Sequence, residues 1–173
     1  MPREVPVDLL LVRHAIADTR DPAHWPDDRL RPLTEDGERR FRVAARGLRR
    51  IVPSVDVLLS SPLVRAWQTA ELLASVAHWP APKRFNALAP GHLPDQVLDA
   101  LAPYSNSGSL GLVGHEPDLS ELAAYLIGSR DGEARLEMKK GGAAQISFDG
   151  DLQTGLATLR WLMTPAILRA LGS

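Results

Sequence analysis

Arg13 and His14 close an apolar run, Arg65 lies four residues after Ser61, and His115 follows Gly114 at the end of another apolar run. Brought together, two guanidiniums and two imidazoles would suit a phosphoryl group. Arginine presents a planar fork of donors that matches phosphate oxygens. A neutral imidazole can attack phosphorus and carry the phosphoryl group covalently. A neighbouring guanidinium helps to keep that imidazole unprotonated by like-charge repulsion. Taken singly, each residue has an ordinary reading. Arg13 and His14 would be a solvated strand end, Arg65 a surface arginine, and His115 a capping or satisfied loop histidine.

The elements that must position them can be read from periodicity. Asp8 to Val12 has the continuous apolar character of a buried strand, and so do Val55 to Leu59 and Leu110 to Val113. Between the first two, residues 18–32 are rich in Asp, Pro and Arg and read as a loop. Thr34 then N-caps a helix whose apolar face is Phe41, Ala45, Leu48 and Val52, stopped by Pro53. Ser61-Pro62 reads as an N-cap followed by Pro at the first helical position. That places Arg65 one turn into a helix running to His78, with Trp67 in the core.

Pro94 to Ala102 predicts a further helix, and Leu119 to Leu126 another that starts near Pro117 and closes at Gly128. Ala143 to Phe148 and Leu156 to Met163 flank Asp149-Gly150-Asp151 and read as a hairpin, followed by a short terminal helix from Pro165. Strands alternating with helices imply an α/β fold. In such sheets ligands bind beyond the carboxyl ends of the strands. Arg13-His14, Ser60 to Arg65 and Gly114 to Glu116 all fall there. The helix starts near Ser61 and Pro117 would add unpaired N–H groups and positive potential.

Composition bounds the rest. At 173 residues the chain is expected to be one domain with a substantial core. Twenty Lys plus Arg against 21 Asp plus Glu leaves a net charge of −1, which argues against retention on nucleic acid or an anionic membrane by bulk charge. With no cysteine, disulfides, thiolate nucleophiles and thiolate-bound zinc are excluded. Residues 1–8 carry no long apolar segment, and no apolar run reaches a membrane-spanning length, so a cytoplasmic protein is expected.

Other residues invite attention and rank lower. His24 and Trp25 lie in the 18–32 segment, read as a solvated loop. Lys139-Lys140-Gly141-Gly142 lacks the spacing of a nucleotide phosphate loop and reads as a basic turn before a strand, where a lysine could meet an acidic partner surface. The five histidines lack the close spacing of a metal site.

Leu11-Val12-Arg13-His14-Ala15, the segment Ser60 to Ala70 and Gly114-His115-Glu116-Pro117 together resemble the motifs of the histidine phosphatase (phosphoglycerate-mutase-like) superfamily. Arg31 to Gly37, the short chain and the tail Trp161 to Pro165 are similar to its compact SixA-type phosphohistidine phosphatase branch. The resemblance implies a phosphoglycerate-mutase-like fold: a three-layer αβα sandwich with a mostly parallel central sheet and an antiparallel C-terminal hairpin. It implies His14 as a nucleophile passing through a phosphohistidine intermediate. Arg13, Arg65 and His115 would then bind the phosphoryl oxygens. No cofactor and no metal are implied.

Two positions depart from the wider pattern. Ala15 stands where the superfamily signature has Gly, a change of one methyl. Many larger members also carry a mid-chain Glu that protonates the leaving oxygen, and Phe85 to Gly91 offers no carboxylate there. Glu116, Asp18 and His92 could each supply a proton instead. A labile P–N bond has less need of an acid than an alkyl ester, so the expected substrate is phosphohistidine on a protein, such as a histidine-containing phosphotransfer domain. The alternatives are a small-molecule phosphomonoester phosphatase on the same site and a non-catalytic phospho-ligand binding module.

Overall fold

The computed structural model describes residues 6–128, 134–153 and 157–173. Among them one six-stranded sheet carries β1 (Val7–Arg13), β2 (Val57–Ser60), β3 (Lys83–Arg84), β4 (Ser109–Gly114), β5 (Ala143–Phe148) and β6 (Ala157–Met163), ordered β3-β2-β4-β1-β5-β6. β3, β2, β4 and β1 run parallel; β5 is antiparallel to β1, and β6 to β5. The mixed sheet with its antiparallel hairpin is the expected α/β architecture. Leu156, read as the start of the last strand, lies outside the described residues, as do Met1 to Val5.

Alternation along β1 shows why the sheet has helices on both faces. Leu10 and Val12 enter a core with residues of α1 (Glu35–Ile51), α2 (Val64–Val76) and α5 (Pro165–Gly172). Val7, Leu9 and Leu11 enter a second core with residues of α3 (Pro94–Ala100) and α4 (Asp118–Leu126). Burying such a leucine contributes about 1.5–3 kcal/mol. From Leu9 to Val12 the central strand is therefore apolar on both faces, and charged chemistry follows at its carboxyl end with Arg13.

On the first face, Thr34 caps α1 by accepting from Gly37 N–H at 2.9 Å, and Phe41, Ala44, Ala45 and Leu48 supply the buried stripe. α1 and α5 pack backbone against backbone. A Cβ on Gly47 would sit 1.8 Å from the Leu168 carbonyl oxygen, so alanine there would separate the helices.

Several boundaries differ from the sequence reading. α2 begins at Val64 with Leu63 at the N-cap, so Ser61-Pro62 is not its entry and Arg65 is its second residue. The Ser61 hydroxyl is instead occupied by His115 and by Leu63 N–H. The helix ends at Val76, and His78 takes a left-handed φ of 58°. Trp67 is half-buried rather than core, with the Arg84 guanidinium 4.5 Å from its ring centre and its indole N–H on Glu71. The two-residue edge strand β3 is too short to give a periodic signal.

Candidate active site

Backbone hydrogen bonds at the sheet's carboxyl edge bring the three segments into register. Arg13 pairs with Gly114 across β1 and β4; His14 N–H donates to the Gly114 carbonyl at 3.1 Å and Ser61 N–H to the Val113 carbonyl at 2.9 Å. On the other side, Gly141 N–H reaches the His14 carbonyl at 3.0 Å and Arg13 N–H donates to Gly142 at 3.1 Å. His14, Arg65 and His115 are 6%, 5% and 4% exposed, values far below those of solvated histidines and arginines. Arg13, His14, Arg65 and His115 line one cavity of about 310 Å³, together with Glu116.

The two imidazoles lie with ring centres 5.2 Å apart and tilted by 55°. His14 Nδ1 is 2.7 Å from the Ala15 carbonyl oxygen, which can only accept. Nδ1 therefore carries the proton, and Nε2 keeps its lone pair. Burial drives the His14 pKa down to about 3, with Arg65, Arg13 and Lys140 adding repulsion against the Ala15 bond. His115 is likewise lowered to about 3 by burial, then by His14 and Arg65. Its Nε2 is 2.8 Å from Ser61 Oγ.

The cations are fixed by neighbouring backbone and by one carboxylate of the cavity wall. Arg13 Nη1 donates to the Met138 carbonyl at 2.7 Å. Arg65 Nη1 donates to the Asp28 carbonyl at 2.8 Å, and its Nη2 lies 3.1 Å from Asp28 Oδ2. Arg31 Nε donates to the same carboxylate at 2.8 Å. That pairing, ahead of the coulombic pull of Arg65, holds Asp28 below the usual carboxylate range.

Among the described residues, the buried side-chain polar atoms without a hydrogen-bond partner are Arg13 Nε, Arg65 Nε, His115 Nδ1 and Glu116 Oε1. All four belong to residues of this one cavity. Buried polar groups are normally satisfied, so such a concentration marks a place built around something other than its own stability.

Of the three candidate proton donors, Glu116 alone lines the cavity. Ser120 Oγ donates to its Oε2 at 2.6 Å, and burial raises its carboxyl pKa against that bond and Arg13. Asp18 is turned to the Trp25 indole N–H at 3.0 Å and to Thr19 N–H at 2.8 Å, contacts that lower its pKa. His92 is bonded to the Ala89 carbonyl at 2.9 Å. The 85–91 segment brings only Pro90 to the cavity wall.

Arg20, Asp28, Arg31 and Lys140 also line the cavity. The 18–32 segment is thus not merely a solvated loop: a bridge between Ala17 and Leu33 closes it, and the 3-10 turn Asp28–Leu30 presents Asp28 inward. Arg31 was visible as part of the SixA-like motif. Asp28, one of many loop aspartates, gave no local signal. Lys140 sits in the expected basic turn, and only the sheet register shows which cavity that turn borders. Among the described residues, no group of three or more His, Asp or Glu side chains is placed to hold a metal ion.

Residues 9–86 match the model of the histidine phosphatase superfamily (branch 1). An uncharacterised protein of Picosynechococcus sp. is 36% identical over 91% of this chain and 99% of its own length. The protein histidine phosphatase SixA, solved with tungstate, aligns over 92% of this chain and 98% of its own with a TM-score of 0.79 at 25% identity. A SixA from Nakamurella multipartitia aligns over 95% and 99% with a TM-score of 0.76 at 26% identity.

Proposed function

Because this chain belongs to the histidine phosphatase superfamily, SixA-type branch, we propose that it removes a phosphoryl group through a phosphohistidine on His14, taking it from phosphohistidine on a protein. The observation that carries this reading is the cluster of unpartnered Arg13, Arg65 and His115 nitrogens around an imidazole whose Nε2 is unprotonated.

In the first step the His14 Nε2 lone pair forms a bond to phosphorus as the P–N bond to the substrate imidazole breaks. The departing nitrogen takes that bond's electron pair and a proton. Phosphorylated His14 carries positive charge, which the Ala15 carbonyl oxygen on Nδ1–H stabilises. Arg13 and Arg65 offset the charge on the phosphoryl oxygens, acting where burial makes electrostatics strong. Water then attacks phosphorus, releasing inorganic phosphate and restoring His14. Glu116 is the group available to give the first proton and take one from the water.

That carboxyl also favours the second reading, a phosphatase of small esters, because an alkoxide needs a proton on departure. Steady-state rates on a phosphohistidine-bearing protein, p-nitrophenyl phosphate and a panel of sugar phosphates separate the two. The proposal expects the highest kcat/KM on the phosphohistidine. Preference for a sugar phosphate overturns that substrate class, and no turnover of any of them returns the chain to a binding module.

A further inference from the structure

A second concavity, of about 330 Å³, borders the first and shares Lys140 with it. It lies between the N-terminal half of α1 and the start of α5. Its floor is apolar, made of Ala15, Ile16, Phe41, Ala44 and Pro165. Ala15, whose carbonyl holds His14 Nδ1, lines this second concavity. Gly141 crosses close above Phe41 at a φ of 78°; a Cβ there would sit 3.3 Å from the phenyl ring and begin to fill the space.

The rim has one sign. Arg40, Lys139, Lys140 and Arg169 line it, and no carboxylate does. Arg40 pairs loosely with Asp36 at 3.5 Å and Lys139 pairs with Glu137, whereas Lys140 and Arg169 have no ion-pair partner among the described residues. In a chain of net charge −1 this is a local concentration, not a reflection of bulk composition. An apolar floor inside a cationic rim complements a peptide face that alternates apolar and acidic side chains. The groove has no use for a phosphate ester that fits wholly within the 310 Å³ cavity.

We propose that this groove docks the polypeptide flanking the phosphorylated side chain, and that the partner is an acidic, amphipathic segment of a phosphoprotein. This rests on the phosphatase reading and names its substrate class. Apolar contacts with the partly exposed Ile16 and Pro165 hold the segment, while the rim steers its approach. Lys140, common to both spaces, lies where the flank gives way to the phosphoryl group.

The test uses two synthetic helical peptides, each bearing one chemically phosphorylated histidine. Their flanks carry leucine with glutamate in one and leucine with lysine in the other; p-nitrophenyl phosphate serves as a substrate too small to reach the groove. The wild type is expected to favour the acidic peptide by at least tenfold in kcat/KM, by less as salt rises. Arg40→Glu/Arg169→Glu is expected to abolish or reverse that preference with p-nitrophenyl phosphate turnover within twofold of wild type. Arg40→Ala/Arg169→Ala is expected to abolish it without reversal, which covers a charge-reversed protein that folds poorly. Equal use of both peptides by wild type, or a preference unchanged in both double variants, overturns the groove. Binding of the unphosphorylated peptides, read by fluorescence anisotropy, tests docking apart from chemistry. Selective binding without turnover of any substrate would sink the phosphatase reading alone. Turnover of p-nitrophenyl phosphate without selective binding would sink the groove alone.

Discussion

Arg65 meets Asp28 twice, through a 2.8 Å hydrogen bond to the backbone carbonyl and a 3.1 Å ion pair with the carboxylate. The same carboxylate takes Arg31 at 2.8 Å. One aspartate thus fixes the fork of a guanidinium that has an unsatisfied Nε at the cavity wall. A negative charge beside the proposed phosphoryl site weakens ground-state binding, so its presence argues for orientation over attraction.

Asp28→Asn should lower kcat about tenfold, or about 1.4 kcal/mol in the barrier, without raising KM. Steady-state kinetics on p-nitrophenyl phosphate give the split. A rise in KM at constant kcat would assign Asp28 to uniform binding instead.

His14→Ala should abolish turnover and covalent labelling with the fold intact by circular dichroism. In the wild type, rapid acid-free quenching followed by NMR should find phosphate on Nε2, because Nδ1 is occupied by Ala15. Phosphate on Nδ1 would require that 2.7 Å hydrogen bond to open and would refute the tautomer assigned to the resting site.

Glu116→Gln should separate substrates by their leaving groups. Loss of a general acid typically costs 10²–10⁴-fold where the leaving group is poor. In kcat/KM, which ends at formation of the phosphoenzyme and so leaves out the shared water step, we expect a drop of about 100-fold on an alkyl phosphate and less than about threefold on p-nitrophenyl phosphate, whose anion departs unaided. Equal losses on both would make Glu116 a structural carboxylate.

Acid should destabilise the fold through the two histidines. Both are held to about 3 in the native protein, below the ordinary 6.5. As pH falls below about 6.5 the unfolded chain binds protons that the native chain refuses, so stability declines with falling pH down to about 3. Each histidine contributes at most about 1.4 kcal/mol per pH unit. Urea unfolding of His14→Gln/His115→Gln between pH 6.5 and 4 should show a shallower decline than wild type. An identical slope would mean that the imidazoles titrate normally.

The parallel strands, the α1 cap at Thr34 and the gathering of Arg13, His14, Arg65 and His115 were all legible in the sequence, because apolar runs and strand-end motifs are local patterns. Ser61 shows where local patterns mislead. Ser-Pro ahead of a helix is a good cap, yet the hydroxyl bonds His115, which lies 54 residues away. Trp67 kept helical spacing but faces Arg84, whose position follows from the short strand β3. Asp28 and Lys140 were hidden for a related reason: their neighbours in space come from loop closure and from pairing between β1 and the start of β5. No window of sequence contains either.

The register of β1 against β4 also has a consequence for how the site comes into being. Arg13 lies opposite Gly114, so the two imidazoles are brought side by side by strands whose paired residues are about a hundred positions apart. Such pairing bears a large loop-closure entropy and forms late when a chain collapses. Neither half of the protein contains the means to make the pocket alone. The assembled pocket is therefore a property of the finished sheet, and its return on refolding reports the closing of contacts about a hundred residues apart.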